Sequence, residues 1–208
     1  MTTPLGTLQT IGTGIRTATL RRVTRETDVT VAVLLDGSGV ADIETGVGFY
    51  DHLLSSLAHH ALIDLRIRAT GDLVVDDHHT VEDVALVLGS AFAAALGDRS
   101  GIRRFGDAAV PMDESVASAV IDLGGRPYAV IDLPFRADRI GTLSSQLIEH
   151  ALEAFSRTAG ATLHVRGNGR NDHHLAEAAF KALALALRAA SEPDPRRVGV
   201  ASTKGALA

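Results

Sequence analysis

A short histidine-rich pattern occurs twice in this chain, and it is the feature that most constrains the fold. Residues 76–83 read DDHHTVED and residues 171–178 read NDHHLAEA, so two adjacent histidines and a following glutamate recur 95 positions apart. Each copy opens a long segment whose apolar residues recur at helical spacing. Repetition on this scale predicts that one structural unit is present twice.

The segments around the two copies follow the same order. In the first half the pattern predicts strands at 16–24 and 28–35, a helix at 47–59, a strand at 62–70 and a helix at 81–96 that Gly97 ends. In the second half it predicts strands at 114–123 and 127–135, a helix at 144–159, a strand at 161–167 and a helix at 174–190. Each half is thus a ββαβα unit, and we expect an α+β fold of two sheets with helices packed on one face of each.

The expected domain organisation follows from these segments. It comprises an N-terminal flexible arm at 1–15, a first repeat at 16–98, a second repeat at 99–191 and a C-terminal tail at 192–208. Two prolines, Pro193 and Pro195, separate the tail from the last helix.

Composition narrows the classes of function. The chain has 208 residues, 46% of them hydrophobic, which is enough for a sizeable core. It contains no cysteine, so disulfides and thiolate metal sites are excluded. A net charge of −5 argues against general nucleic-acid binding. The N-terminus lacks the basic and then apolar residues of a secretory signal, and no apolar run approaches the length of a membrane span. We therefore expect a cytoplasmic protein without membrane partners.

The histidines and acids occupy equivalent positions in the two halves. Asp51-His52 corresponds to Glu149-His150 at an offset of 98, close to the offset of 95 between the doublets. Helical positions four apart share a face whereas adjacent positions diverge by about 100°. Each doublet is therefore interpreted as ligands for two different ions. The predicted metal ligands are His52, His78, His79, Glu82, His150, His173, His174 and Glu177. Two sites of nitrogen and oxygen donors favour Mn(II) or Fe(II) over zinc.

Other interpretations of these residues stay open at this point. A single HHxxE would be read as a solvated helix start, and only its repetition favours a metal. Asp77 and Asp172, directly before the doublets, are either helix N-caps or acceptors for an imidazole N–H. His59 and His60 either line a site or solvate a helix end, and His164 is expected to be structural.

Basic residues near turns indicate a phosphate site. Arg103-Arg104, Arg126 and the tail residues Ser202 to Lys204 gather guanidinium, hydroxyl and ammonium groups that suit an oxyanion. The alternatives are surface salt bridges for the arginines and a disordered terminus for the tail. Glu26 is an acid with no evident structural role.

With these residues identified, the chain resembles the imidazoleglycerol-phosphate dehydratase family. The resemblance runs from TRET to STKG and includes TGVGFYDHLLSSLAHHALIDL, ATGDLVVDDHHTVEDVALVLG, GIRRFGDA, DLGGRPY, QLIEH, GRNDHHLAEAAFKALALALR and DPRRVGVASTKG. Ala61 and Val81 depart from the residues usual in the family, and neither is a proposed ligand.

The resemblance implies a lyase of histidine biosynthesis that dehydrates D-erythro-imidazoleglycerol phosphate to imidazole acetol phosphate. It implies two Mn(II) ions per active site and a homo-oligomer of 24 subunits with active sites at subunit contacts. The eight predicted metal ligands match the ligands of the family. The resemblance further assigns substrate contact to Glu26 and Glu177, and phosphate binding to Arg104, Arg126, Ser202 and Lys204.

Two rival functions use the same ligands. A metal-storage oligomer would bind the ions without turnover, and a di-metal hydrolase would use them to activate water for phosphate release. Both rivals differ from a lyase in what happens to the phosphorylated substrate.

Overall fold

The computed structural model describes residues 15–207 and divides them into two halves with the same order of elements. The first half contains β1 (Thr17–Val23), β2 (Thr27–Leu34), β3 (Ala41–Glu44), α1 (Gly48–Ala61), β4 (Asp64–Gly71) and α2 (His78–Leu96). The second contains β5 (Phe105–Met112), β6 (Ser115–Asp122), β7 (Tyr128–Asp132), β8 (Arg139–Ile140), β9 (Leu143–Ser144), α3 (Gln146–Ala159), β10 (Thr162–Asn168) and α4 (Asp172–Ser191).

Each half forms a four-stranded sheet with the same topology. The strand orders are β1-β2-β4-β3 and β5-β6-β10-β7. In both sheets the last neighbours, β3 with β4 and β7 with β10, are parallel, and the other pairs are antiparallel. The short β8–β9 hairpin is an insertion in the second half, between β7 and α3. The predicted fold class is confirmed.

Alternation along the strands explains which face of each sheet is buried. Val29, Val31 and Val33 of β2 are almost fully buried, and the residues between them are partly exposed. Burying the larger apolar side chains contributes roughly 1.5–3 kcal/mol each. Helix α2 packs on β1 and β2, and α4 packs on β5 and β6. Each sheet therefore has helices on its inner face.

The helices also join the two halves. α1 contacts α4, and α2 contacts α3, so each helix pair takes one member from each half. At the second contact Gly89 of α2 lies against the backbone of α3 near Phe155 and Ala159. This pairing across the halves decides which histidines can meet.

Each four-stranded sheet has one strand more than the sequence pattern predicts, and the β8–β9 hairpin is a further addition. The missing strands, β3 and β5, have weak β signals, because β3 is only four residues long and β5 reads FGDAAVPM with glycine, two alanines and proline. β5 lies at a sheet edge, where proline is tolerated. The helices also begin earlier than predicted in two cases, at His78 and at Asp172, so both histidine doublets lie in the first turn of a helix.

Helix α2 is long and apolar enough to span a membrane by length and composition. Of the 18-residue apolar stretch of this helix, 67% is buried inside the fold, as is usual for a core helix. The expected N-terminal arm, residues 1–15, lies outside the described residues except for Ile15. The described part of the tail runs beside residues 100–104, where Gly101 N–H donates to Gly199 O at 2.9 Å and Arg103 N–H to Glu192 O at 3.0 Å.

Candidate metal centres and phosphate cleft

The first group of possible metal ligands combines α1 with α4. His52, His173 and Glu177 each offer one donor atom, and the three atoms lie within 4.8 Å of one another. Glu177 Oε1 is 3.0 Å from His52 Nε2 and 2.8 Å from His173 Nε2. Both imidazoles are about half exposed, and the carboxylate is buried. We call this set group A.

The second group combines α2 with α3 in the same way. His78, Glu82 and His150 also offer three donors within 4.8 Å. Glu82 is 3.9 Å from His78 Nε2 and 3.5 Å from His150 Nε2. His150 Nε2 is buried and has no hydrogen-bond partner among residues 15–207, which is the state expected of a nitrogen that binds an ion. We call this set group B.

The acids that precede His52 and His150 fix the helices to the sheets. Asp51 accepts hydrogen bonds from the backbone N–H and hydroxyl of Thr45, and Glu149 accepts one from the N–H of Leu133 at 3.0 Å. Thr45 directly follows β3, and Leu133 directly follows β7. These carboxylates therefore hold the first turns of α1 and α3, from which the two imidazoles project.

Asp77 and Asp172 also hold backbone rather than histidine. Asp77 accepts from Ser144 N at 2.6 Å and Ser144 Oγ at 2.8 Å, and does not cap its own helix. Asp172 accepts from the N–H of Arg136 and Ala137. The two aspartates thus bind the segment that surrounds the β8–β9 hairpin. Asp77 occupies the N-cap position of α2 without a capping bond from its side chain, whereas Asn171, not Asp172, is the N-cap of α4. Among residues 15–207 neither carboxylate accepts from an imidazole.

The second histidine of each doublet lies outside both groups, and a carboxylate orients it. His79 Nδ1 is 3.0 Å from Asp72 Oδ2, and His174 Nδ1 is 2.9 Å from Glu114 Oε2. The bond to Asp72 raises the pKa of His79. The bond from His174 holds the pKa of Glu114 well below its usual range. With Nδ1 engaged, the opposite nitrogen of each ring is the one available to a ligand.

A lysine that the sequence pattern did not mark as part of a site contacts group A. Lys181 Nζ is 2.7 Å from Glu177 Oε2, one helical turn along α4. Burial raises the pKa of Glu177, but bonds with Lys181, His52 and His173 outweigh burial and lower it to about 2. The i, i+4 spacing from Glu177 was the available signal. His60 also lies near this pair, and its pKa is lowered by burial, by His59 and by Lys181.

The residues predicted to bind phosphate lie together elsewhere on the chain. A cleft of 570 Å³ is lined by Arg104, Arg126, Ser202, Thr203 and Lys204, with Phe105 and Gly124. Its cationic and hydroxyl groups come from three separate segments: the start of β5, the turn after β6, and the tail. Such convergence of donors suits a phosphate group.

Arg104 has a second role in this cleft. Its guanidinium forms a bidentate pair with Asp122, at 2.6 and 2.8 Å, and donates to Ala201 O at 2.6 Å. The guanidinium also lies 4.6 Å from the centre of the Phe105 ring. The charge of Arg104 is thus already paired with Asp122, and its bond to Ala201 O holds the tail beside the start of β5. Arg126 and Lys204 are the other cationic residues of the lining.

Two groups of two imidazoles and a carboxylate, each built across the halves of a duplicated α+β fold, define a class of protein with paired metal-competent centres and a separate anion cleft. Comparison with known proteins identifies the family. The sequence model described as imidazoleglycerol-phosphate dehydratase matches residues 45–187, and the chain belongs to this family.

Relatives across bacteria, archaea and plants support this assignment. A dehydratase of Granulibacter bethesdensis is 55% identical, over 92% of this chain and 99% of its own. One from Methanocella arvoryzae is 51% identical, over 93% of this chain and 100% of its own. A chloroplastic enzyme of Pisum sativum is 53% identical, over 92% of this chain and 69% of its own. All three are named imidazoleglycerol-phosphate dehydratase.

Solved structures of the family share the fold. The dehydratase of Staphylococcus aureus superposes with a TM-score of 0.78 at 32% identity, covering 86% of this chain and 99% of its own. That of Pyrococcus furiosus gives 0.78 at 36% identity, covering 90% of this chain and 99% of its own. The chain is accordingly a hydro-lyase of histidine biosynthesis, and the family resemblance noted from the sequence is confirmed.

Proposed function

We propose that this chain dehydrates D-erythro-imidazoleglycerol phosphate to imidazole acetol phosphate with two Mn(II) ions per active site. The observation that carries the proposal is the pair of groups A and B, each with two imidazole nitrogens and one carboxylate oxygen within 4.8 Å. Nitrogen and oxygen donors without thiolate suit Mn(II) or Fe(II). The buried, unpartnered Nε2 of His150 supports the fit.

The proposed ligand sets divide the eight predicted residues between the two ions. Group A and group B each supply three donors, which leaves His79 and His174 to supply one further nitrogen each. Both rings have Nδ1 bound to a carboxylate, so Nε2 faces away from its own chain's acceptor and is the proposed ligand atom. Because neither ring lies in groups A or B of its own chain, we propose that it completes a centre in a neighbouring subunit.

The position of the phosphate cleft supports an active site shared between subunits. Arg104 N–H donates to Ala190 O at the C-terminal end of α4, whereas His173 lies in the first turn of that helix. The 17 helical steps from His173 to Ala190 span about 26 Å at 1.5 Å per residue. The substrate, a ring with three carbons and a phosphate, is on the order of 10 Å long, comparable to three extended residues. This separation supports a site in which one subunit supplies group A and another supplies the cleft.

The chain's own residues have distinct proposed roles in the reaction. Bound Mn(II) would supply Lewis-acid stabilisation of a deprotonated substrate ring. Arg126, Ser202 and Lys204 bind the phosphate and so orient the ring away from the cleft. The hydroxyl on the carbon next to the ring leaves as water after protonation, a carboxylate removes the proton from the following carbon, and the enol formed there becomes the ketone as the carbon next to the ring gains a proton. Glu26 and Glu177 are the proposed carboxylates at the reacting carbons.

Of these two carboxylates, Glu26 is better suited to move a proton. Its side chain is 54% exposed, and its nearest described cationic or imidazole contact is His79 Nδ1 at 3.9 Å. Glu177 is bound by two imidazoles and by Lys181, which suits a ligand held in one position. Glu26 would therefore carry the proton transfer, and Glu177 would hold the metal. The proposed assembly is a homo-oligomer of 24 subunits, and the proposed location is the cytoplasm.

A product assay separates the proposal from its rivals. The protein, loaded with Mn(II), is incubated with imidazoleglycerol phosphate, and both the enolisable ketone and free inorganic phosphate are measured. We expect the ketone without phosphate release, with loss of activity in a chelator. Lys204→Ala is expected to raise KM with little change in kcat, since the cleft binds away from the reacting carbons. Phosphate release would favour the hydrolase. Mn(II) binding without turnover, unchanged in the Lys204→Ala variant, would favour metal storage.

A further inference from the structure

One glutamate occupies the same place in the first hairpin of each half. Glu26 directly precedes β2, in the turn after β1, and Glu114 directly precedes β6, in the turn after β5. β2 and β6 have equivalent places in sheets of the same topology. Each glutamate also lies beside the second histidine of its half, at 3.9 Å from His79 and 2.9 Å from His174. The two positions are counterparts, yet their contacts differ.

In the second half the glutamate is fully engaged. Glu114 Oε2 accepts from His174 Nδ1 at 2.9 Å, and Oε1 accepts from Asn171 N at 2.8 Å, Arg170 N at 3.2 Å and Ser115 Oγ at 2.9 Å. Four hydrogen bonds use most of the acceptor positions of a carboxylate. Glu114 thus ties one imidazole to the segment that caps α4.

In the first half a different acid holds the imidazole. Asp72 oxygens lie 3.0 and 3.2 Å from His79 Nδ1, whereas the Glu26 carboxylate is beyond hydrogen-bond distance at 3.9 Å. Asp72 comes from the connection between β4 and α2, which is longer than the β10–α4 connection. Its N–H donates to Glu26 O at 3.1 Å, so the two acids are fixed side by side. Glu26 keeps an exposed, uncommitted carboxylate.

We propose that Asp72 and Glu114 are positioning residues that hold His79 and His174, and that Asp72 thereby leaves Glu26 free to act on the substrate. In the first half the longer β4–α2 connection supplies Asp72, so that one acid holds His79 and another, Glu26, is available to react. The second half, which has no counterpart of Asp72, retains its glutamate as the holder. This inference rests on the proposed function and adds to it why Glu26, and not its counterpart Glu114, is available for proton transfer.

Mn(II) binding to the metal-free protein, followed by electron paramagnetic resonance, tests the proposal without turnover. Asp72→Asn and Glu114→Gln are each expected to weaken one of two Mn(II) sites by about 10–100-fold, as losing an orienting carboxylate does at other metal sites. Glu26→Gln is expected to leave both sites unchanged while kcat falls at least 100-fold. Asp113→Asn is the matched control, because Asp113 Oδ2 lies 3.8 Å from His174 and is mostly exposed; it should change neither quantity.

The outcomes separate this inference from the proposed function. If the wild-type protein bound no Mn(II), the proposed function would fail. If it bound two ions but Glu26→Gln weakened a site as much as Asp72→Asn, Glu26 would be a holder and this inference alone would fail. The same holds if Glu114→Gln left both affinities unchanged. Circular dichroism and assembly mass of each variant show that any loss is local.

Discussion

Gly89 offers a direct test of how the two halves fit together. It lies inside α2, where a Cβ would be 2.5 Å from Phe155 O and 2.9 Å from Ala159 N of α3. It would also lie 2.2 Å from Thr158 Oγ1, which donates to Leu86 O at 2.8 Å. Carbon atoms in ordinary contact are about 3.5–4.0 Å apart, so α3 would have to move by roughly 1 Å.

The expected sign of Gly89→Ala comes from three opposing contributions. Replacing glycine by alanine in a helix interior stabilises by about 1 kcal/mol. Overpacking against backbone costs about 1–3 kcal/mol, and losing the Thr158 hydrogen bond costs about 1 kcal/mol more. The net expectation is a loss of about 1–3 kcal/mol in the free energy of unfolding. Because α2 and α3 carry group B, the shift should also weaken the Mn(II) site proposed there.

Chemical denaturation and Mn(II) titration of the variant measure both effects. Gly48→Ala is the matched control, because Gly48 begins α1 and an added Cβ there has no atom within 4 Å among the described residues. That variant should be neutral or slightly stabilised. A Gly89→Ala protein that gained about 1 kcal/mol and kept both sites would refute the close approach of α2 and α3.

Two further predictions concern acid stability and subunit sharing. Backbone N–H groups of Val40 and Ser38 lower the pKa of Asp64 below its ordinary 3.8. The stabilisation by this carboxylate is therefore present above pH 3.8 and is lost as pH falls through the lower pKa of the folded state. The stability difference between wild type and Asp64→Asn should shrink in acid, and a pH-independent difference in urea titrations would contradict the assignment. At substrate concentrations far below KM, where His52→Ala and Lys204→Ala subunits are each nearly inactive alone, their mixed and reassembled oligomers should regain roughly a quarter of wild-type activity if one copy supplies group A and another the cleft of a closed oligomer. No recovery in verified mixed assemblies would contradict sharing.

Sequence periodicity was sufficient for the local part of each centre. The i, i+4 spacing placed His78 with Glu82 and His173 with Glu177 on common helix faces, and the structure places each pair in one group. The repeated order of segments was likewise enough for the fold class. These features depend on helix geometry and on strand alternation, which a few neighbouring residues determine.

The tertiary part of the site was beyond the sequence pattern. That His52 meets α4, and His150 meets α2, depends on helices pairing across the halves, which no local spacing encodes. The acids Asp72 and Glu114 escaped notice because their partners are brought near by loops of different length in the two halves. Strand β5 was missed because its glycine, alanine and proline content gives little β propensity, and pairing with β6 supplies its stability.

Anomalous diffraction from crystals grown with saturating Mn(II) tests the central claim most directly. The account predicts two peaks per chain, one bonded to His52, His173 and Glu177 and the other to His78, Glu82 and His150, each completed by an imidazole from a neighbouring copy. Crystals that showed fully formed groups A and B with no anomalous density between their donors would contradict it.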